Sequence, residues 1–271
     1  MRNYKNSGRG VRSSSPRQNT PNHGSSISAP KGGRLVIGFH ALRELLKVNP
    51  RSIQKLILQN GFESNNELRE LEEDYRRNNK TIEIRPEVHL SKLGNHQGAV
   101  AVVGEAPELD LTNLPEGPCV LLAIDGVEDP HNLGAMLRTS WLMNVSGVIL
   151  AADRSVHLTP SVHKVASGGV EHVPTLAVSQ FGPTFSKLKE MGFWIFGLSA
   201  EGTKTIFEMN LPERIVWVLG AEDKGLRVNT ERACDELVSI PQASSEASFN
   251  VSVTAGMALL ESRRQSLKPR V

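Results

Sequence analysis

Cysteine is scarce in this chain: Cys119 and Cys234 are the two in 271 residues, far apart and in no CxxC pairing. That excludes a disulfide-stapled scaffold and a cysteine zinc site, and it suits a reducing compartment, read here as the cytoplasm. Long apolar runs are also missing. The longest, Cys119 to Ile124, has six residues, against the roughly 20 that a membrane-spanning helix needs. Acidic side chains are absent from residues 1–34, which carry seven basic ones and leave 24 basic and 29 acidic residues for the remainder. The net positive charge is therefore a property of the tail, and such a tail attracts polyanions through counterion release without regard to sequence. What is present, 39% hydrophobic and 22% charged residues, suits a globular chain with a core.

Fifteen of residues 1–33 are Gly, Ser or Pro. Such a segment buries too little surface to offset its ordering entropy, so a disordered basic tail is expected. A mitochondrial transit signal shares the composition but needs an amphipathic stripe, which residues 1–33 lack; it stands as the alternative. From 34 to 104 the pattern is a small α/β unit. Leu42, Leu45 and Leu46 at i, i+3, i+4 predict a helix ending before Pro50, and Leu68, Leu71 and Tyr75 line a second, charged helix. Strands are expected at 53–58, 82–84 and 99–103. Residues 105–117, rich in proline and glutamate and without periodicity, read as a linker. The second unit, 118–271, has strand candidates at 119–124, 147–151, 193–198, 215–219 and 237–240, with helical stretches between most of them. This predicts a mostly parallel sheet covered on both faces. Ligands of such sheets sit beyond the carboxyl ends of strands, which directs attention to the loops after Ile124, Leu219 and Ile240.

Familiar signatures are absent. Gly220 to Gly225 has the glycine spacing of a phosphate-binding loop, but Leu226 and Arg227 stand where Lys and Ser/Thr are required. There is no GxGxxG after a strand, no HExxH and no GxSxG. His157, His163 and His172 lack ligand spacing and read as ordinary polar or hydrogen-bonded side chains. Asp125, Glu128 and Asp129 read as loop and capping residues rather than as a metal site.

Three polar, glycine-containing segments remain: Asp125 to Gly134, running into a helix that carries Arg138; Gly220 to Leu226; and Ile240-Pro241-Gln242 followed by Ser248-Phe249-Asn250-Val251-Ser252. In order and spacing they resemble the three motifs of the SpoU/TrmH family of RNA ribose methyltransferases, within the SPOUT superfamily. Ile37-Gly38-Phe39-His40-Ala41 and His96-Gln97-Gly98 resemble the substrate-binding domain of the members that act on large-subunit rRNA. The resemblance covers all but the first 33 residues.

The resemblance implies a deep trefoil knot in the C-terminal unit, a ribosomal-protein-like fold in the N-terminal one, a homodimer, and S-adenosylmethionine as cofactor, with no metal. It implies methylation of a ribose 2′-oxygen in RNA, most directly a guanosine of large-subunit (23S) rRNA. A tRNA guanosine is the alternative substrate, and a non-catalytic RNA-binding assembly factor the alternative class. By motif position Gly220, Ile240 and Phe249 should line the cofactor; Arg138, Asn132, Glu222, Ser248 and Asn250 are the candidate catalytic residues. Phe249 stands where the family usually has Leu, and Gln242 and Ser244 where Met and Gly are frequent. Guanidinium stays protonated in proteins, so Arg138 is expected to clamp a phosphate and stabilise a developing alkoxide rather than act as a base. Asn132 has a plain reading as the cap of the helix after Pro130, and it lies about 120° around that helix from Arg138. Ser248 and Asn250 are also cap candidates for the helix bearing Val253, Met257 and Leu260. Glu222 reads equally as a solvated loop acid.

Overall fold

The structure, a computed structural model, describes residues 27–153, 155–244 and 246–267. The expectation for residues 1–26 lies outside them.

The first unit contains β1 (Arg34–Ile37), α1 (Phe39–Val48), β2 (Ile53–Gln59), α2 (Asn66–Arg77), β3 (Thr81–Arg85), α3 (Glu87–Leu90) and β4 (Ala99–Val103). Its sheet has the order β1-β4-β2-β3, with β4 antiparallel to both neighbours and β3 parallel to β2. The apolar spacing read from the sequence is the packing that forms. Helix α1 buries Leu42, Leu45 and Leu46, while α2 buries Leu68, Leu71 and Tyr75. Asn65 caps α2, its side-chain oxygen accepting from the N–H groups of Glu67 and Leu68 at 2.9 and 3.3 Å.

The second unit contains β5 (Cys119–Asp125), α4 (Pro130–Leu142), β6 (Gly147–Ala151), α5 (Pro160–Ala166), α6 (Gly169–His172), β7 (Thr175–Val178), α7 (Phe181–Glu190), β8 (Trp194–Leu198), β9 (Lys204–Thr205), β10 (Arg214–Gly220), α8 (Val228–Ala233), β11 (Glu236–Ser239) and α9 (Val251–Ser266). Seven strands form one sheet in the order β7-β6-β5-β10-β8-β11-β9, and every pairing is parallel. Strands buried on both faces read as continuous apolar runs, which is why β5, β6, β8 and β10 were legible. The short strands β7 and β9, at the sheet edges, were not. No helix among the described residues is long and apolar enough to cross a membrane.

Three expectations need correction. The tail does not extend through residue 33: Ile27 and Ala29 already pack against the cluster of Leu35, Ile37 and Val102. Arg34, counted with the basic tail, is buried and paired with Glu171. Residues 105–117 are not a free linker. Leu109 N–H donates to the Thr175 carbonyl at 3.0 Å, Thr175 N–H donates to that of Pro107 at 3.1 Å, and Leu109 and Leu111 are buried. Two leucines at i, i+2 give the segment an apolar side that composition alone conceals.

The two units are locked together. Arg34 Nη2 donates to Glu171 Oε2 at 2.9 Å, and Lys164 Nζ donates to the Asn95 carbonyl at 2.9 Å. The His172 ring stacks on Trp141 with centroids 4.0 Å apart, and its Nε2 lies 3.1 Å from the Glu44 carboxylate. Gly168 is held at φ 107, where a Cβ would stand 2.6 Å from Glu44 Cβ. His163, beside this contact on α5, is fully buried with no partner for Nε2 among the described residues, and desolvation holds its pKa at about 3.

Candidate active site

The site is built by three loops at the carboxyl ends of β5, β10 and β11. After β10, residues 221–225 fold back on themselves: Ala221 N–H donates to the Gly225 carbonyl at 3.0 Å, and Gly225 N–H donates to that of Ala221 at 2.9 Å. The turn presses so closely on Gly220 that a Cβ there would lie 2.0 Å from the Gly225 carbonyl carbon. Any side chain at position 220 would force the turn open. The turn carries Glu222 toward the start of α4.

At that start the helix is capped by Asp129, whose side chain accepts from His131 N–H at 2.9 Å, with Pro130 in the first turn. Asn132 is therefore not the cap, and its amide is released for another purpose. It is buried, and Nδ2 donates to Glu222 Oε1. Asn250 Nδ2 donates to Asn132 Oδ1 at 3.1 Å and lies 3.3 Å from Glu222 Oε1. The other end of the same amide caps α9: Asn250 Oδ1 accepts from the backbone N–H and hydroxyl of Ser252 at 2.9 and 2.6 Å. Asn132, Glu222 and Asn250 thus form one cluster joining all three loops. Ser248 does not cap α9. Val251, Ala255, Ala258 and Leu259 face the core, Met257 is half-buried, and Val253 and Leu260 are exposed.

Beside Glu222 is a cavity of about 440 Å³ at the ends of β8, β10 and β11. Gly220, Ile240 and Phe249 all line it, as do Glu222, Gln242 and Ser248, and Leu198, Leu219 and Val238 supply apolar surface. The sequence reading missed the loop Ser199 to Glu201, which also lines it. The signal was available, since Leu198 ends an expected strand and the same rule applies to its loop. Asp125 is fully buried and ion-paired with Arg227, Nε to Oδ1 3.0 Å, which ties the loop after β5 to that after β10. Its partner lies in a distant loop, 102 residues along the chain, which no local spacing singles out.

Arg138 is not brought into this arrangement. It is exposed on α4, and its side chain makes no hydrogen bond or ion pair among the described residues. Nor does any group of three or more His, Cys, Asp or Glu stand, among those residues, where it could hold a metal ion.

Residues 119–260 match the SpoU rRNA Methylase family, and residues 35–109 match the domain described as RNA 2′-O ribose methyltransferase substrate binding. The chain is 42% identical over 240 residues to the 23S rRNA (guanosine-2′-O-)-methyltransferase RlmB of Neisseria meningitidis, covering 86% of this chain and 95% of that protein. It is 41% identical to the RlmB of Nitrosomonas europaea, covering 85% and 91%. In fold it is similar to the SpoU methyltransferase AviRb of Streptomyces viridochromogenes in complex with AdoMet, with a TM-score of 0.78, 23% identity, and coverage of 89% and 92%.

Proposed function

The chain belongs to the SpoU rRNA methylase family, and on that premise we propose that it transfers a methyl group from S-adenosylmethionine to the 2′-oxygen of a guanosine in large-subunit rRNA. The observation that carries the reading is the Asn132–Glu222–Asn250 cluster. It joins side chains up to 118 residues apart, and its Glu222 also lines the cavity.

The cavity suits the cofactor. Its size falls in the range of small-molecule sites, and main chain at Gly220, Ile240 and Phe249 offers hydrogen-bonding groups beside the apolar surface of Leu198, Leu219 and Val238. Glu222 sets a carboxylate where a sulfonium cation would be attracted. When bound, S-adenosylmethionine supplies an electrophilic methyl group. The chain's residues then position the ribose and stabilise the charge that appears as the 2′ proton leaves. In this reading Asn132, Glu222 and Asn250 hold the three loops in register, with Ser248 beside them. Arg138 clamps the adjacent phosphate and stabilises the developing alkoxide.

The reading includes a homodimer. Leu142 on α4 and Val253 and Leu260 on α9 are large, apolar and exposed, on helices packed against each other. Arg138 shares the outer side of α4, so a second copy on this face would bring it to a cavity it does not line within one chain. It also includes the family's trefoil knot, supported by the return of the chain from β11, near one sheet edge, to lay α9 on α4 and β10. The first unit and the basic tail grip RNA.

The test is transfer by Arg138→Ala and Arg138→Lys. A lost charge-stabilising donor lowers turnover by about 10²–10³, and lysine does not replace the guanidinium fork. Both variants should bind S-adenosylmethionine as the parent does. Parental turnover in Arg138→Ala would overturn the role assigned to this residue.

A further inference from the structure

The first unit carries a second recess, of about 510 Å³, that the proposed chemistry does not use. It lies between the end of β2, the start of α2 and the loop 94–98, and is lined by Phe39, Gln59, Glu67, Glu87, His96 and Gln97, among others. The loop is held in an uncommon conformation. Gly94, Gln97 and Gly98 have φ of 73, 55 and 82°, and a positive φ is rare for a residue such as glutamine. A Cβ on Gly98 would stand 2.9 Å from both Gln59 Cδ and Leu68 Cδ1. Side-chain contacts help to fix the loop. Lys164 Nζ holds the Asn95 carbonyl, Gln97 Oε1 accepts from Phe39 N–H at 3.4 Å, and His96 Nδ1 accepts from Gly98 N–H at 2.9 Å.

The last contact determines what His96 presents. His96 is 9% exposed, and desolvation holds its pKa below the ordinary value. With Nδ1 accepting, the single ring proton is on Nε2. That N–H has no hydrogen-bond partner among the described residues, and the ring lines the recess. The recess therefore offers one pre-set donor from a buried side chain, two carboxylates and several carboxamides.

No lysine or arginine among the described residues lines it. A phosphate would meet Glu67 and Glu87 and be repelled, so an RNA strand would enter base first. Sequence-specific RNA recognition commonly splays an unpaired base into such a recess and reads its edges. Among the four bases guanine alone presents two adjacent N–H donors on its Watson–Crick edge, N1–H and N2–H, which match a carboxylate. Its O6 and N7 are acceptors for an imidazole N–H.

We propose that this recess is a specificity site for an unpaired guanine base of the RNA substrate, read by the Glu67 and Glu87 carboxylates and by His96 Nε2–H. The proposal rests on the RNA-methylating reading but can fail independently of it.

The test is titration of the full chain with the ribonucleotides UUGUU, UUAUU and UUIUU, the inosine lacking the N2 amine. UUGUU should bind about tenfold tighter than UUAUU, as one good bidentate pair provides, with UUIUU between them. The double variant Glu67→Gln/Glu87→Gln, at two exposed positions, should remove most of that preference, so that UUGUU and UUAUU bind alike. Equal affinity for UUGUU and UUAUU would overturn the proposal. So would uniformly tighter binding of all three by the double variant, the signature of carboxylates that merely repel the strand. Methyl transfer measured on the same proteins separates the two readings. Transfer without guanine preference sinks the recess alone, and guanine preference without transfer sinks the enzymatic reading.

Discussion

Replacing Glu171 with glutamine strips the counter-charge from Arg34 at a contact where the two side chains are 6% and 2% exposed. Removing one member of a buried pair costs about 3–5 kcal/mol, because the remaining charge is left unpaired out of water. Arg34 keeps two weaker acceptors, the carbonyls of Gly104 at 3.2 Å and Glu105 at 3.3 Å. These place the expected loss at the lower end, about 3 kcal/mol. The double variant Arg34→Met/Glu171→Leu removes both charges and should recover about 2 kcal/mol or more, since apolar replacements of buried pairs are often neutral. Urea unfolding followed by far-ultraviolet circular dichroism gives the stabilities. Fluorescence supplies a second probe, because Trp141 stacks on His172 at the same contact. In Glu171→Gln the fluorescence transition should precede the dichroism transition as the units separate. A loss below about 1 kcal/mol, or a double variant less stable than Glu171→Gln, would refute the reasoning.

Three further outcomes follow from the geometry. His163 has a folded pKa of about 3 against an ordinary 6.5, so below pH 6.5 the unfolded chain takes up a proton that the folded chain refuses. Stability should therefore fall as pH drops from 6.5 toward 3, by up to about 1.4 kcal/mol per unit from this group. His163→Met should flatten that slope between pH 7.5 and 5 in urea titrations, and an unchanged slope would contradict the assignment. Gly220→Ala must open the turn at Gly225 and should weaken S-adenosylmethionine binding, measured by calorimetry, by at least about tenfold; unaltered binding would remove this turn from the cofactor site. Asn250→Ser keeps a capping oxygen but loses the donor to Asn132 and Glu222, so it should retain stability and lose transfer activity. Asn250→Ala should also lose about 1 kcal/mol of stability, and equal stability of the two variants would deny Asn250 its capping role.

Much of the fold was legible because buried parallel strands are written as apolar runs, and the strand-end rule led to the loops bearing Gly220 and Ile240. The contact of Asn132 with Glu222 and Asn250 was not, since no local spacing encodes a meeting of side chains 90 and 118 residues apart. The resemblance indicated those positions; the particular hydrogen bonds came from the fold. Arg34 misled because a charge count treats a guanidinium as a property of the tail, whereas its partner lies on α6. The core face of α9 was not legible for another reason. Val251, Val253, Ala255, Met257, Ala258, Leu259 and Leu260 spread apolar groups around most of that helix, and a helical period cannot choose between faces that are all apolar.

The most direct test of the account is transfer of a labelled methyl group from S-adenosylmethionine to unmodified large-subunit rRNA and, separately, to tRNA, with the labelled position mapped by resistance to alkaline cleavage. The account predicts label on the ribose of a single guanosine in the large-subunit rRNA. Label confined to tRNA would replace the proposed substrate. Label on a base, or none in either RNA, would contradict the proposed reaction.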